Sequence, residues 1–165
     1  GGHIEVYSEA GKGTTIKLNH PRYIGDPEAT PEIVDRDDPN SYDGQRILVV
    51  EDDKNVQGAV ALLLSSLGFC VFTADSSKQA IEMCHRETQG FDVFLLDVIL
   101  SGGSNGRELS NTLSELFPTT PTLFMSGYTE NAIVHDSSLD PGVVLLQKPF
   151  SRKDLTQKLR RVLGV

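Results

Sequence analysis

The chain has 165 residues, 38% of them hydrophobic and 23% charged, with a net charge of −8. That length holds one well-buried domain and some extra chain. The acidic balance excludes a sequence-independent grip on nucleic acid and direct attraction to an anionic membrane surface.

Two cysteines, Cys70 and Cys84, show no metal spacing and read as small thiols in a reducing cytoplasm. No apolar run nears the roughly 18 residues of a membrane span, and no signal peptide is visible. The chain starts without Met, inside a patterned segment, and reads as a piece of a longer protein.

Residues 1–20 alternate weakly, with Ile4 and Val6 on one strand face and Ile16 and Leu18 on another. Ala10-Gly11-Lys12-Gly13 between them predicts a hairpin with a glycine-rich turn. The run "GKGTT" has the vocabulary of a phosphate loop but not its spacing. Val6 stands where a glycine must precede Gly11 by five residues, and Gly13 follows Lys12 where Ser or Thr is needed. Residues 21–44 hold four of the eight prolines and an excess of acids. They read as a linker, extended or disordered.

From Gln45 the pattern is regular. "RILVV" (46–50) is a β-branched run that fits a strand buried on both faces. Val56, Val60, Leu63, Leu64 and Leu67 recur at helical spacing until Gly68. Strands at 69–74, 92–96, 120–126 and 142–147 alternate with helices at 76–87, 106–117, 129–137 and 151–163. In the third of the five helices, Leu109, Leu113 and Leu116 share a face. The last opens on a capping box, Ser151 with Asp154. Five β–α units in about 120 residues predict an α/β fold. The sheet is parallel and doubly wound, with five strands and helices on both faces. Ligands in such folds bind at the carboxyl ends of the strands.

Those ends are chemically distinctive. Strand one runs into Glu51-Asp52-Asp53, strand three into Asp97, strand four into Ser126 and strand five into Lys148. In the flavodoxin-like order 2-1-3-4-5, Glu51, Asp52 and Asp97 converge. Clustered carboxylates repel and raise one another's pKa. A divalent cation relieves this, and hard oxygen donors suit Mg²⁺. A carboxylate can also be the nucleophile that forms an aspartyl phosphate. Lys148 and the Ser126 hydroxyl could then neutralise charge on the transferred group.

Residues 46–165 resemble the receiver domain of two-component response regulators, on the motifs "ILVVEDD", "FDVFLLDVIL", "LFMSGY" and "LLQKPF". The resemblance implies Asp97 as phosphoacceptor, Ser126 as switch hydroxyl and Lys148 as the lysine that pairs with the phosphate. It implies Mg²⁺ held by Asp52, Asp97 and the Ile99 carbonyl, with Glu51 acting through water, and a cis Pro149. Asp53 falls outside this set. Leu145 stands where the family often has an aromatic switch residue. Ile99 and Tyr128 are bulky neighbours of Asp97 and Ser126, which suggests slow loss of the phosphoryl group. "SGGSNG" (101–106) reads as a flexible connector.

Residues 1–20 resemble the last hairpin of a histidine-kinase ATP-binding domain, and this order implies the C-terminal end of a hybrid histidine kinase. The division is then 1–20 kinase remnant, 21–44 linker and 45–165 receiver. Expected partners are a histidine kinase core or a histidine phosphotransfer protein, with no nucleic acid and no direct membrane contact. The fragment would be a stoichiometric phosphoacceptor in the cytoplasm. His3, His20, His85 and His135 match no phosphoacceptor motif. Three alternatives stand beside this reading. One is a receiver-like interaction module that is never phosphorylated. An aspartate-nucleophile phosphatase would want an acid where Ile99 stands, and an FMN binder would be repelled by the acids after strand one.

Overall fold

The computed structural model of the chain describes residues 2–21, 42–100, 105–127 and 144–164. The predicted helix at 129–137, Tyr128, residues 22–41 of the predicted linker and residues 101–104 of the predicted connector lie outside them. The chain divides into two compact units.

The first unit contains a two-stranded antiparallel hairpin, β1 (His3–Glu9) and β2 (Gly13–Asn19). Ile4 pairs with Leu18 and Val6 with Ile16, so four apolar side chains line one face. Each of the four is more than 60% exposed. Gly11 and Gly13 turn the chain at φ of 80° and 98°, where side-chain-bearing residues are strained.

The second unit is a five-stranded parallel sheet with helices on both faces. Its elements are β3 (Arg46–Val50), α1 (Lys54–Ser65), β4 (Cys70–Ala74), α2 (Ser77–Arg86), β5 (Val93–Asp97), α3 (Gly106–Leu116), β6 (Thr122–Ser126), β7 (Val144–Gln147) and α4 (Arg152–Leu163). The spatial order is β4-β3-β5-β6-β7, the order expected from the sequence. All four strand pairs are parallel, so every strand ends on the same rim.

The period of two in the strands sorts the core into two layers. Ile47 and Val49 of β3, Val93 and Leu95 of β5, and Leu123 and Met125 of β6 pack with Val60 and Leu64 of α1 and Leu155 and Leu159 of α4. Leu48, Val50, Phe94, Leu96 and Phe124 point the other way, to Ala80 and Cys84 of α2 and Leu109 and Leu113 of α3. Phe91, Phe94 and Phe117 form edge and tilted ring pairs in this second layer.

Three local expectations shift. Leu116 is 39% exposed rather than inward, because α3 ends there and Phe117 takes up the packing instead. Asp97 is the last residue of its strand rather than the first beyond it. Tyr42, which composition places with the linker, is 1% exposed and stacks on Phe69 with ring centroids 4.5 Å apart. Asp43 and Gly44 carry the chain from this anchor to β3, and Gln45 N–H closes the turn on the Tyr42 carbonyl.

Helix ends follow local chemistry. Asp53 caps α1 by accepting from the Asn55 and Val56 amides. Ser76 caps α2, Asn105 caps α3, and Ser151 with Asp154 forms the predicted capping box of α4. Gly164 ends α4 in the left-handed conformation.

Candidate active site at the carboxyl rim of the sheet

Glu51, Asp52 and Asp97 each offer a carboxylate oxygen, and these three atoms lie within 4.8 Å of one another. β3 and β5 are adjacent and in register from Ile47–Val93 to Val50–Leu96, so the residues that follow arrive side by side. Glu51 and Asp97 are buried, at 2% and 4% exposure, and Asp52 is half-buried.

Lys148 enters from the end of β7. Its Nζ donates to Asp97 Oδ2 at 2.7 Å and to Glu51 Oε2 at 2.5 Å. Lys148 N–H donates to the Ser126 carbonyl at 2.7 Å, which fixes the rim of β7 against that of β6. The Lys148–Pro149 peptide bond is cis, as expected. Ser126 is fully buried. Ile99 is 47% exposed at the site's edge, and its N–H donates to Asp97 Oδ1 across a long 3.4 Å.

The electrostatics follow from this packing. Burial pushes the Glu51 carboxyl above its ordinary value, and the Asp97 charge adds to that rise. The Lys148 ammonium and the Asp53 N–H pull it back without cancelling it. Burial opposes the charge of Lys148, but its bonds to Asp97 and Glu51 outweigh that and hold its pKa above the ordinary lysine value. Two buried acids share one cation, and a third acid lies beside them. Oxygen donors in this number and spacing fit Mg²⁺, which uses one or two carboxylates and keeps several waters. Asp53, outside the predicted set, serves as the α1 cap and donates its N–H to Glu51 Oε1 at 3.3 Å.

The model of the response regulator receiver domain matches residues 47–160. The chain belongs to this family. It is therefore a receiver of two-component signalling, and receivers interact with histidine kinases or phosphotransfer proteins. The chain is similar to the sensor kinase CckA of Brucella abortus, at 31% identity over 99% of this chain, and spans 18% of that kinase. It is similar to the response regulator receiver protein CpdR of the same organism, at 28% identity over 72% of this chain and 97% of CpdR. Among solved structures, the receiver domain of the hybrid histidine kinase CckA superposes with a TM-score of 0.59 at 27% identity, covering 72% of this chain and 98% of that one. Among the described residues, no helix is long and apolar enough to cross a membrane.

One contributor escaped the sequence reading. Gln57 of α1 is buried and reaches back to the rim. Its position beside Val56 at the start of an amphipathic helix gave no signal.

Proposed function

We propose that this receiver accepts a phosphoryl group from a phosphohistidine onto Asp97, with Mg²⁺ bound by Asp52, Asp97 and the Ile99 carbonyl and with Glu51 reaching it through water. An Asp97 carboxylate oxygen forms the new bond to phosphorus. The phosphorus–nitrogen bond breaks, and the imidazole leaves with the electron pair and is reprotonated from solvent. Bound Mg²⁺ would supply positive charge for the phosphoryl oxygens. Lys148 supplies more, and on transfer it exchanges its Asp97 contact for the phosphoryl group. The Ser126 hydroxyl orients a phosphoryl oxygen.

The observation that carries this reading is the shared grip of Lys148 on Glu51 and Asp97 beside Asp52. It is tested by intact-mass measurement after incubation with acetyl phosphate and Mg²⁺. Wild type gains one phosphate. Asp97→Asn, or wild type with chelator, gains none. Absence of the gain in wild type would leave the interaction module that is never phosphorylated.

The donor is a histidine kinase core or a histidine phosphotransfer protein. Asp97 is nearly buried, so the donor must press against the rim. An apolar recess of about 520 Å³ runs from Lys148 along Val56, Ala59 and Leu63 of α1 to Phe150. After Lys54, α1 carries no charged residue, and Leu62 is 75% exposed. This face suits the apolar side of a helical donor. Leu62→Glu should slow transfer from the phosphohistidine protein and leave transfer from acetyl phosphate unchanged.

The parent is a hybrid histidine kinase, membrane-anchored or not, whose receiver works in the cytoplasm, with residues 1–20 the end of its ATP-binding domain and 21–44 a linker. Two observations support this. The similarity to the sensor kinase runs through the hairpin as well as the receiver. The apolar hairpin face of Ile4, Val6, Ile16 and Leu18 has the character of a surface covered in a larger domain. Ile99, half-exposed beside Asp97, supports slow self-dephosphorylation, and a phospho-Asp97 lifetime of only seconds would contradict it.

A further inference from the structure

We infer that Gln57 is the positioning residue for the acidic pair, holding the backbone from which Glu51 and Asp52 present their carboxylates. The inference rests on the Mg²⁺ site proposed above and goes beyond it to a residue outside the ligand set.

The β3 ladder ends at Val50, so Glu51 needs other partners for its backbone. Its N–H donates to the Ala74 carbonyl at 3.1 Å. Its carbonyl accepts from Gln57 Nε2 at 2.8 Å, and the same nitrogen donates to the Ala74 carbonyl at 2.9 Å. One side-chain amide thus uses both of its hydrogens to clip the end of β3 to the end of β4. The Glu51 carbonyl and the Asp52 N–H belong to one planar peptide unit. Fixing that carbonyl fixes the plane from which Asp52 departs, and so the direction of both acids.

Gln57 is itself fixed. It is 8% exposed, and its own N–H makes the first helical bond of α1, to the Asp53 carbonyl at 2.8 Å. The rigid start of α1 is therefore transmitted to the rim through one amide. Few side chains can do this. Met fills the same volume and donates nothing. Asn keeps the amide but is one methylene short, so it reaches one carbonyl at most. Glu would aim an anion at two carbonyl oxygens. Residues that orient metal ligands without touching the metal typically shift metal affinity by about 10- to 100-fold.

The experiment measures Mg²⁺ affinity by calorimetry, and amide hydrogen exchange at residues 51–53 in metal-free protein, on the full chain. Gln57→Met should weaken Mg²⁺ binding about tenfold and speed exchange at those amides. Gln57→Asn, the milder change, should fall between Met and wild type. Thr156→Val is the control for general destabilisation. Thr156 is buried and bonds the Arg152 carbonyl within α4, and its loss should leave both readouts at wild-type values. Unchanged affinity in both Gln57 variants, or changes matched by Thr156→Val, would overturn the positioning role. Failure of wild type to bind Mg²⁺ would overturn the metal site instead, and the exchange at 51–53 would still decide for or against Gln57.

Discussion

Lys148 Nζ lies 2.7 Å from Asp97 Oδ2, joining residues 51 positions apart at the rim of the sheet. The same nitrogen holds Glu51, so one cation bridges the proposed phosphoacceptor and the acidic pair. On the proposed function, this contact marks where a phosphoryl group would be received.

Lys148→Met removes that charge while keeping most of the side-chain volume. Transfer from acetyl phosphate should slow on the order of 10²-fold, the usual loss for a preorganised charge partner. Stopped-flow or quenched mass measurements of the phosphorylated fraction check it. A wild-type rate in the variant would remove Lys148 from the reaction.

The raised Glu51 pKa fixes the sign of a pH effect in metal-free protein. Folded Glu51 keeps a proton that the unfolded chain has released above 4.5. Stability therefore falls as pH rises from about 4.5 through the raised folded value, and stays lower beyond it. Asp75, held down by Lys54, and Asp154, held down by Ser151, act below 3.8 and leave this window clear. Lys148 adds stability that is full below 10.5 and lost as pH rises through its own raised value. Urea midpoints across the acid window should decline for wild type, and Glu51→Gln should flatten the decline. A wild-type midpoint that climbs with pH there would contradict the assigned direction.

Gly106 begins α3 directly against the backbone of Asp97, the proposed phosphoacceptor. A Cβ on it would lie 2.0 Å from the Asp97 carbonyl oxygen and 3.0 Å from the carbonyl carbon, so backbone must move. Gly106→Ala should cost about 1–3 kcal/mol of stability, as overpacking does. It should also slow phosphorylation, because the displaced backbone is that of Asp97. Denaturant unfolding and the phosphorylation rate measure the two effects. A variant with wild-type values for both would show that α3 can retreat without disturbing Asp97.

The two thiols should separate cleanly. Cys84 is buried between α2 and the sheet, and burial, with the Glu87 charge adding to it, pushes its pKa up to about 11. Cys70 is exposed at the start of an edge strand. Iodoacetamide near neutral pH should modify Cys70 first, with Cys84 reacting only on unfolding. Equal rates in folded protein would contradict the packing of α2.

The alternation of buried runs and helical periods made the parallel sheet and its rim legible in the sequence; the order 2-1-3-4-5 came with the flavodoxin-like reading rather than with the alternation. The strand ends carry chemically distinctive residues. Glu51, Asp52, Asp97 and Lys148 were readable for that reason. Gln57 was not, because a polar residue in the first turn of an amphipathic helix reads as surface until the neighbouring carbonyls are seen. Gly106 opens the predicted helix at 106–117, but its contact with the Asp97 backbone was not legible, since close approach of a helix to a strand end leaves no periodic trace. Tyr42 sat among prolines and acids, and only the fold reveals that Phe69 offers its ring a partner.

On the proposed function, Asp97 carries the phosphoryl group. The most direct test is borohydride reduction after incubation with acetyl phosphate and Mg²⁺, followed by peptide sequencing by mass spectrometry. An acyl phosphate at Asp97 is reduced to homoserine, and the account predicts homoserine at position 97 and at no other carboxylate. Homoserine at another residue, or none in protein that has gained phosphate, would contradict it.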